Sequence, residues 1–279
     1  MKLAISNTCW NRKYDEEMYQ FLRDHGYALE TVPDRIFEWQ ESKISDRMIS
    51  PYEKYDDAQI WYRIVYSQYR INVASMHLIL QNEDVNMFAS ATYRRYLMNV
   101  LESAVRFADQ IKCPNLCFDC VKNRKVPDGL HPESVARTAV NFFRKIADYA
   151  KEYNITISIE PLPASLDVNF ITGTYQAFAM ARRVNRENFA VNISTGTIFE
   201  NNENMQLIFN PQNIKLIKHI HLAEPGFNSF RPRKEYFEMA RLLNKCEYDG
   251  YVSACMTEHD NVKQLQGVMN YFNKIFNKQ

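Results

Sequence analysis

The feature of this chain that most restricts its fold is an alternation that runs from end to end: short β-branched or apolar runs are each followed by a longer amphipathic stretch. Eight strand-like runs stand out, at approximately Lys2–Ser6, Tyr27–Val32, Val73–His77, Leu116–Asp119, Ile155–Glu160, Ala190–Ser194, Ile217–Leu222 and Tyr251–Met256. The clearest helical pattern is Pro132–Tyr153, where Val135, Ala139, Phe142, Phe143, Ile146 and Ala150 recur at three- and four-residue spacing and make one apolar stripe. Pro132 suits the first turn of such a helix. Strands separated by helices must run parallel through right-handed crossovers, which leaves an open doubly wound sheet or a closed barrel. Eight units favour the (β/α)8 or TIM barrel, and since one such barrel takes about 250 residues, residues 1–279 read as a single domain. No glycine-rich dinucleotide fingerprint follows the first run, where the sequence is Asn7-Thr8-Cys9-Trp10-Asn11, and 7 glycines in the chain leave little for phosphate-cradling loops. The charged segment Pro33–Tyr55, with Trp39, is expected to be a long connection that overhangs the barrel mouth.

Charge narrows the partners. The formal net charge is +1 and no long block of like charges occurs, so neither nucleic acid nor an anionic membrane surface is expected as a partner. A small molecule is expected instead, and a homo-oligomer is compatible with the composition. The apolar start of the chain is too short for a signal-peptide core and no run could span a bilayer, which points to the cytoplasm. The six cysteines then read as reduced thiols. Cys113, Cys117 and Cys120 have the C-x3-C-x2-C spacing of an iron–sulfur cluster motif, but here the spacing crosses a strand, which would turn Cys117 and Cys120 to opposite faces.

In such a barrel, chemistry gathers at the C-terminal ends of the strands. Strand 5 ends in Ile159-Glu160-Pro161, and a carboxylate there must bind a metal, meet a basic partner or reach water, because burying it unpaired is costly. His219 and His221, two apart on strand 7, must share a face, and two histidines beside a strand-end glutamate suggest a site more than a lone histidine would. Lys122 and Arg124 after strand 4, and Arg231 and Arg233 after strand 7, are placed to meet a phosphate, a carboxylate or sugar hydroxyls.

Taken together, Ser6-Asn7 with Trp10, Ser75-Met76-His77, Lys122-Asn123-Arg124, Ile159-Glu160-Pro161, Gly196-Thr197 with Asn201-Asn202-Glu203, His219-Ile220-His221-Leu222-Ala223-Glu224-Pro225 and Tyr248-Asp249-Gly250-Tyr251-Val252-Ser253 resemble the xylose isomerase-like, sugar phosphate isomerase/epimerase family over nearly the whole chain. The resemblance implies a divalent cation held by Glu on strand 5, Asp on strand 6, His on strand 7 and Glu on strand 8, with the two glutamates moving a proton beside a carbonyl. Glu160 and His221 match two of those metal positions. Ser194 stands where the family has aspartate, and Cys255 where it has the second glutamate. With one carboxylate of three left, Mg²⁺ or Mn²⁺ should be held weakly or not at all. A zinc site of Glu160, His221 and Cys255 is an alternative. Glu160 and Cys255 are then the expected acid–base groups, and His77, Lys122, Arg124, His219, Glu224 and Arg231 the expected substrate contacts. The implied activity is a sugar or sugar-phosphate isomerase or epimerase with a degenerate metal site. The other reading is a non-catalytic barrel that binds a sugar-like ligand or a partner. A lyase or hydrolase, endonuclease-like relatives included, would need more metal ligands than these strand ends carry.

Overall fold

Each apolar run becomes a strand and each amphipathic stretch a helix in the computed structural model, which describes residues 1–37, 52 and 55–277. The order is β1 (Lys2–Ser6), α1 (Asp15–His25), β2 (Ala28–Thr31), α2 (Tyr55–Tyr62), β3 (Val73–Met76), α3 (Ala91–Gln110), β4 (Asn115–Phe118), α4 (Pro132–Lys151), β5 (Thr156–Ile159), α5 (Thr174–Val184), β6 (Phe189–Ser194), α6 (Thr195–Glu200), α7 (Met205–Ile208), β7 (Ile217–Leu222), α8 (Lys234–Lys245), β8 (Tyr251–Ala254) and α9 (Val262–Phe276). The strands pair in parallel in chain order, and β8 closes on β1. Residues 38–51, which include Trp39, lie outside the described residues, so the expected overhang after β2 falls largely there.

Local chemistry sets the helix ends. In α1, Asp15, Glu16 and Glu17 occupy the first turn, where acids favour the helix dipole, and Gly26 ends the helix with φ 67. His131 caps α4 by accepting from the Glu133 N–H, with Pro132 in the first turn. That helix stops at Lys151 rather than at Tyr153, and Asn154 turns the chain with φ 57. The expected strands are also slightly shorter at their polar ends. His77, Glu160 and Cys255 sit one residue past the ladder, yet their N–H groups still donate to Thr31, Phe118 and Leu222 carbonyls at 3.0, 3.3 and 2.8 Å. Each is therefore anchored by a strand while its side chain is free to face the mouth.

Packing divides into two layers of opposite character. Between strands and helices the contacts are apolar: Phe143 on α4 lies edge-on to Phe118 of β4 at 5.3 Å, with Phe142, Ile146 and Ala150 buried along the same stripe. Removing a fully buried ring of this kind typically costs about 3–5 kcal/mol. Inside the barrel, where branched aliphatic residues usually dominate, the buried side chains include Glu30, Ser75, Asn115, Cys117, Ser158, Asn192, His219, His221 and Ser253. They are stable there because they bond one another, as Asn115 does in donating to Ser75 Oγ at 2.9 Å. No described helix is long and apolar enough to cross a membrane.

Candidate functional site

The site is built on a carboxylate that strand-end reasoning passes over. Glu30 of β2, with no exposed surface, points into the barrel just after a register shift against β3. Its Oε1 lies 2.9 Å from His221 Nε2 and 3.2 Å from His219 Nε2, and its Oε2 accepts from Ser253 Oγ at 2.7 Å. Burial would raise the Glu30 pKa, but the neighbouring His221 and His219 overcome it and hold the carboxyl well below its ordinary range.

Above this floor, His221 turns its other nitrogen to Glu160. Nδ1 lies 2.8 Å from Glu160 Oε2, which also accepts from Asn192 Nδ2 at 2.9 Å and from Cys117 Sγ at 3.4 Å. Burial alone would lower the His221 pKa, yet two flanking carboxylates raise it well above its usual value, which favours the charged ring between Glu30 and Glu160; Asn192 Nδ2 also lies 3.1 Å from Nδ1. Burial would likewise raise Glu160, but His221 draws its pKa down and keeps it ionised. For His219 burial prevails, the pKa falls, and the ring stays neutral.

Glu160 Oε2 is thus fully engaged, while Oε1 is buried without a hydrogen-bond partner. Glu160 and His221 form the base of a cavity of about 250 Å³ at the C-terminal mouth, together with His77, Asp119 and Cys255. Leu78, Val121, Leu162, Leu166, Phe227 and Met256 make its apolar walls. His77 at the end of β3 is held on both sides, by Ser6 Oγ at 2.8 Å and by Asp119 Oδ2 at 3.2 Å. Asp119 also accepts from the Leu78 N–H at 3.0 Å. The Cys255 thiol is protonated, since burial and then the nearby Cys9, Glu30 and Glu160 push its pKa well above the ordinary value.

Other expected contacts lie elsewhere. Ser194 faces a small neighbouring crevice with Gly196 and Glu224 and does not line the mouth cavity. His219 lies on the floor, 1% exposed, below the cavity. Arg124 does not reach out into a loop. It is fully buried and donates to the Glu160 carbonyl at 2.6 Å, bracing the end of β5. Lys122 is turned to solvent toward Asp84 at 3.9 Å. Glu224 is buried and tied to Arg233, with Arg231 at 3.4 Å and the Tyr236 hydroxyl at 3.0 Å, which makes it a brace for the loop after β7. The rule of reading strand ends misses Glu30, Cys117 and Asn192, which lie inside strands, while Asp119 ends the expected strand Leu116–Asp119 but carries no motif that would single it out. A lone acid in the otherwise apolar run Tyr27–Val32 is the one signal that could have flagged Glu30.

The cation site that the resemblance implies does not fit these residues. Ser194 is a neutral oxygen facing another crevice, Cys255 puts a soft sulfur where a hard carboxylate oxygen is wanted, and both nitrogens of His221 are engaged by carboxylates. Only Glu160 Oε1 is left to offer a hard anionic ligand. Among the described residues, two other groups bring three potential ligand atoms within 4.8 Å of one another: Glu30 with His219 and His221, and Cys117 with Asp119 and Glu160.

Comparison with known proteins agrees with this architecture. The family model described as xylose isomerase-like TIM barrel matches residues 54–275. No curated protein sequence matches the chain. Similar solved structures include D-psicose 3-epimerase with D-tagatose from Clostridium cellulolyticum, at 12% identity and TM-score 0.77 over 99% of this chain and 99% of that one. AP endonuclease, family 2 from Brucella melitensis superposes with TM-score 0.72 at 18% identity, over 98% of each chain. The IOLI protein with a binding zinc atom gives TM-score 0.73 at 15% identity, over 100% of this chain and 99% of that one. At such identities the likeness is one of fold.

Proposed function

The chain belongs to the xylose isomerase-like TIM barrel family, and from that premise we propose that it is a sugar isomerase or epimerase that moves a proton at a carbon beside a carbonyl, with the family's cation position lost. The observation that carries the reading is the meeting of an ionised Glu160 and a protonated Cys255 thiol on the wall of one mouth cavity, with the charged His221 behind them. Glu160 Oε1, free of other partners, takes the proton as the C–H bond breaks, and the electron pair moves onto the carbonyl oxygen. The His221 imidazolium places fixed positive charge beside the developing enolate. Cys255 returns a proton to carbon through its S–H, leaving a thiolate and a protonated Glu160, the pair that runs the reverse direction. His77, held by Ser6 and Asp119, orients a substrate hydroxyl or carbonyl.

A specific observation favours a second reading, a binding protein without catalysis: the cavity walls are mostly aliphatic, whereas a polyhydroxylated ligand asks for many hydrogen-bonding partners. Deuterium wash-in separates the two. Incubated in D2O with D-fructose or D-tagatose, the sugars present in crystals of two of the similar epimerases, the protein should exchange the hydrogen beside the carbonyl, followed by proton NMR. Glu160→Gln should cut the exchange by roughly 10²–10⁴-fold, the usual contribution of a positioned base. Exchange at the same rate in both proteins would remove Glu160 as the base, and tight sugar binding with no exchange would favour the binder.

A further inference from the structure

We propose that the protein has a metal site of its own, displaced from the family position to the β4–β5 side of Glu160 and formed by Cys117, Asp119 and Glu160. Cys117 and Asp119 are two residues apart along β4 and its continuation, so both face the barrel interior. With Glu160 at the end of β5 they bring a thiol sulfur and two carboxylate oxygens within 4.8 Å of one another. Cys117 Sγ is already 3.4 Å from Glu160 Oε2. An independent observation points to a missing ligand here: Glu160 is 1% exposed, yet its Oε1 has no hydrogen-bond partner. A buried ionised oxygen left bare is costly, and a cation would satisfy it.

The surroundings suit an ion. Each carboxylate is held from behind by a histidine, Glu160 by His221 at 2.8 Å and Asp119 by His77 at 3.2 Å, the kind of outer contact that fixes ligand orientation. Asp119 and Glu160 line the mouth cavity, so an ion can enter and a fourth position can open toward it, as in zinc sites with three protein ligands. The other triad, Glu30 with His219 and His221, is sealed beneath this level and has its carboxylate committed to both rings and to Ser253. The sulfur sets the preference. A thiolate selects zinc or cobalt over magnesium, and coordination would displace the Cys117 proton to solvent. Two anionic positions lost on β6 and β8, at Ser194 and Cys255, are thereby matched by two donors on β4.

Cobalt titration of the metal-free protein tests this without any substrate: failure to bind leaves the proton-transfer reading standing, whereas an ion on Glu160 Oε1 would compete with that oxygen's role as the base, so the two readings fail by different results. Wild type should bind one Co²⁺ and develop a sulfur-to-cobalt charge-transfer band, with Zn²⁺ displacing the cobalt and the band together. Cys117→Ser should abolish the band while Cys255→Ser keeps it. Asp119→Asn should weaken binding by more than the roughly 10–100-fold that loss of an outer-shell partner costs, and near-UV circular dichroism checks that each variant is folded. Should Cys117→Ser fail to fold, Asp119→Asn still decides the matter, because it leaves the thiol in place. A band lost in Cys255→Ser and kept in Cys117→Ser would return the ion to the family position. Absence of stoichiometric binding in wild type, or unchanged affinity in Asp119→Asn, would overturn the site.

Discussion

His221 divides the barrel interior into two regions built from the same residue types. Below it, Glu30, His219 and Ser253 close a floor in which both carboxylate oxygens are bonded and nothing reaches solvent. Above it, Glu160, Asp119, His77 and Cys255 border an open cavity, and Glu160 keeps one oxygen bare. The floor commits both Glu30 oxygens to its neighbours and is sealed from solvent, which makes it structural, although His219 Nε2 lies beside Oε1 without a hydrogen bond. The mouth keeps hydrogen-bonding capacity in reserve, which makes it the place where a ligand can bind. Residue type is therefore a poor guide to role here, and the state of satisfaction of each oxygen and nitrogen is the better one.

The largest effect should come from breaking the floor. Glu30→Gln leaves a buried imidazolium with one carboxylate instead of two and strands His219, so unfolding in urea should show a loss of about 3–5 kcal/mol, the range for a buried pair deprived of one partner. A loss below about 1 kcal/mol would mean that the floor is not what holds the strands in place. Next in size is Cys255→Ala. If the mouth is catalytic, this change should lower formation of the isomerised sugar by about 10²-fold or more, with exchange through Glu160 persisting, while costing little stability, because the side chain borders empty space. A variant that loses stability instead would assign Cys255 to the structural region.

The pH dependence of stability sharpens the same division. The folded pKa of His221 is raised above its ordinary 6.5, so its contribution is complete below that value and fades as pH rises through the raised one. Those of Glu30 and Glu160 are depressed below 4.5, so their contribution is present above that value and fades as pH falls through the depressed ones. His219, kept neutral by burial with its folded pKa below 6.5, adds a loss as pH falls below that value, so thermal stability should peak near pH 6.5 and fall on both sides. In Glu30→Gln the acid limb should be shallower, and an unchanged limb would mean that other carboxylates control it.

The smallest effects are expected where loop cations are exposed. Lys122→Ala and Arg231→Ala should change stability by no more than about 0.5 kcal/mol, as surface substitutions generally do. Arg124→Ala, two residues from Lys122, should be clearly destabilising in the same assay, because its buried guanidinium braces the Glu160 carbonyl. Equal effects at positions 122 and 124 would contradict the burial difference between them.

Periodicity was enough to predict parallel strands alternating with helices, and the count of eight units with no glycine-rich fingerprint after the first favoured the closed barrel over an open sheet. The strand-end rule also pointed to Glu160, His221, His77 and Cys255, because a barrel opens where its strands end. Contacts across the barrel were beyond its reach. Glu30 and His221 are 191 residues apart in the chain and meet only when β2 and β7 face each other across the closed sheet. Arg124 reads as a solvated loop cation until the turn after β4 folds it beneath β5, and Asp119 is an ordinary acid until His77 and the Leu78 N–H arrive beside it. Local pattern determines which residues form strands and which way a side chain points, because those depend on neighbours within a few positions. Which charges neutralise one another, and which oxygen is left bare, was decided by closure of the barrel, because electrostatic energy depends on distance through space and not along the chain.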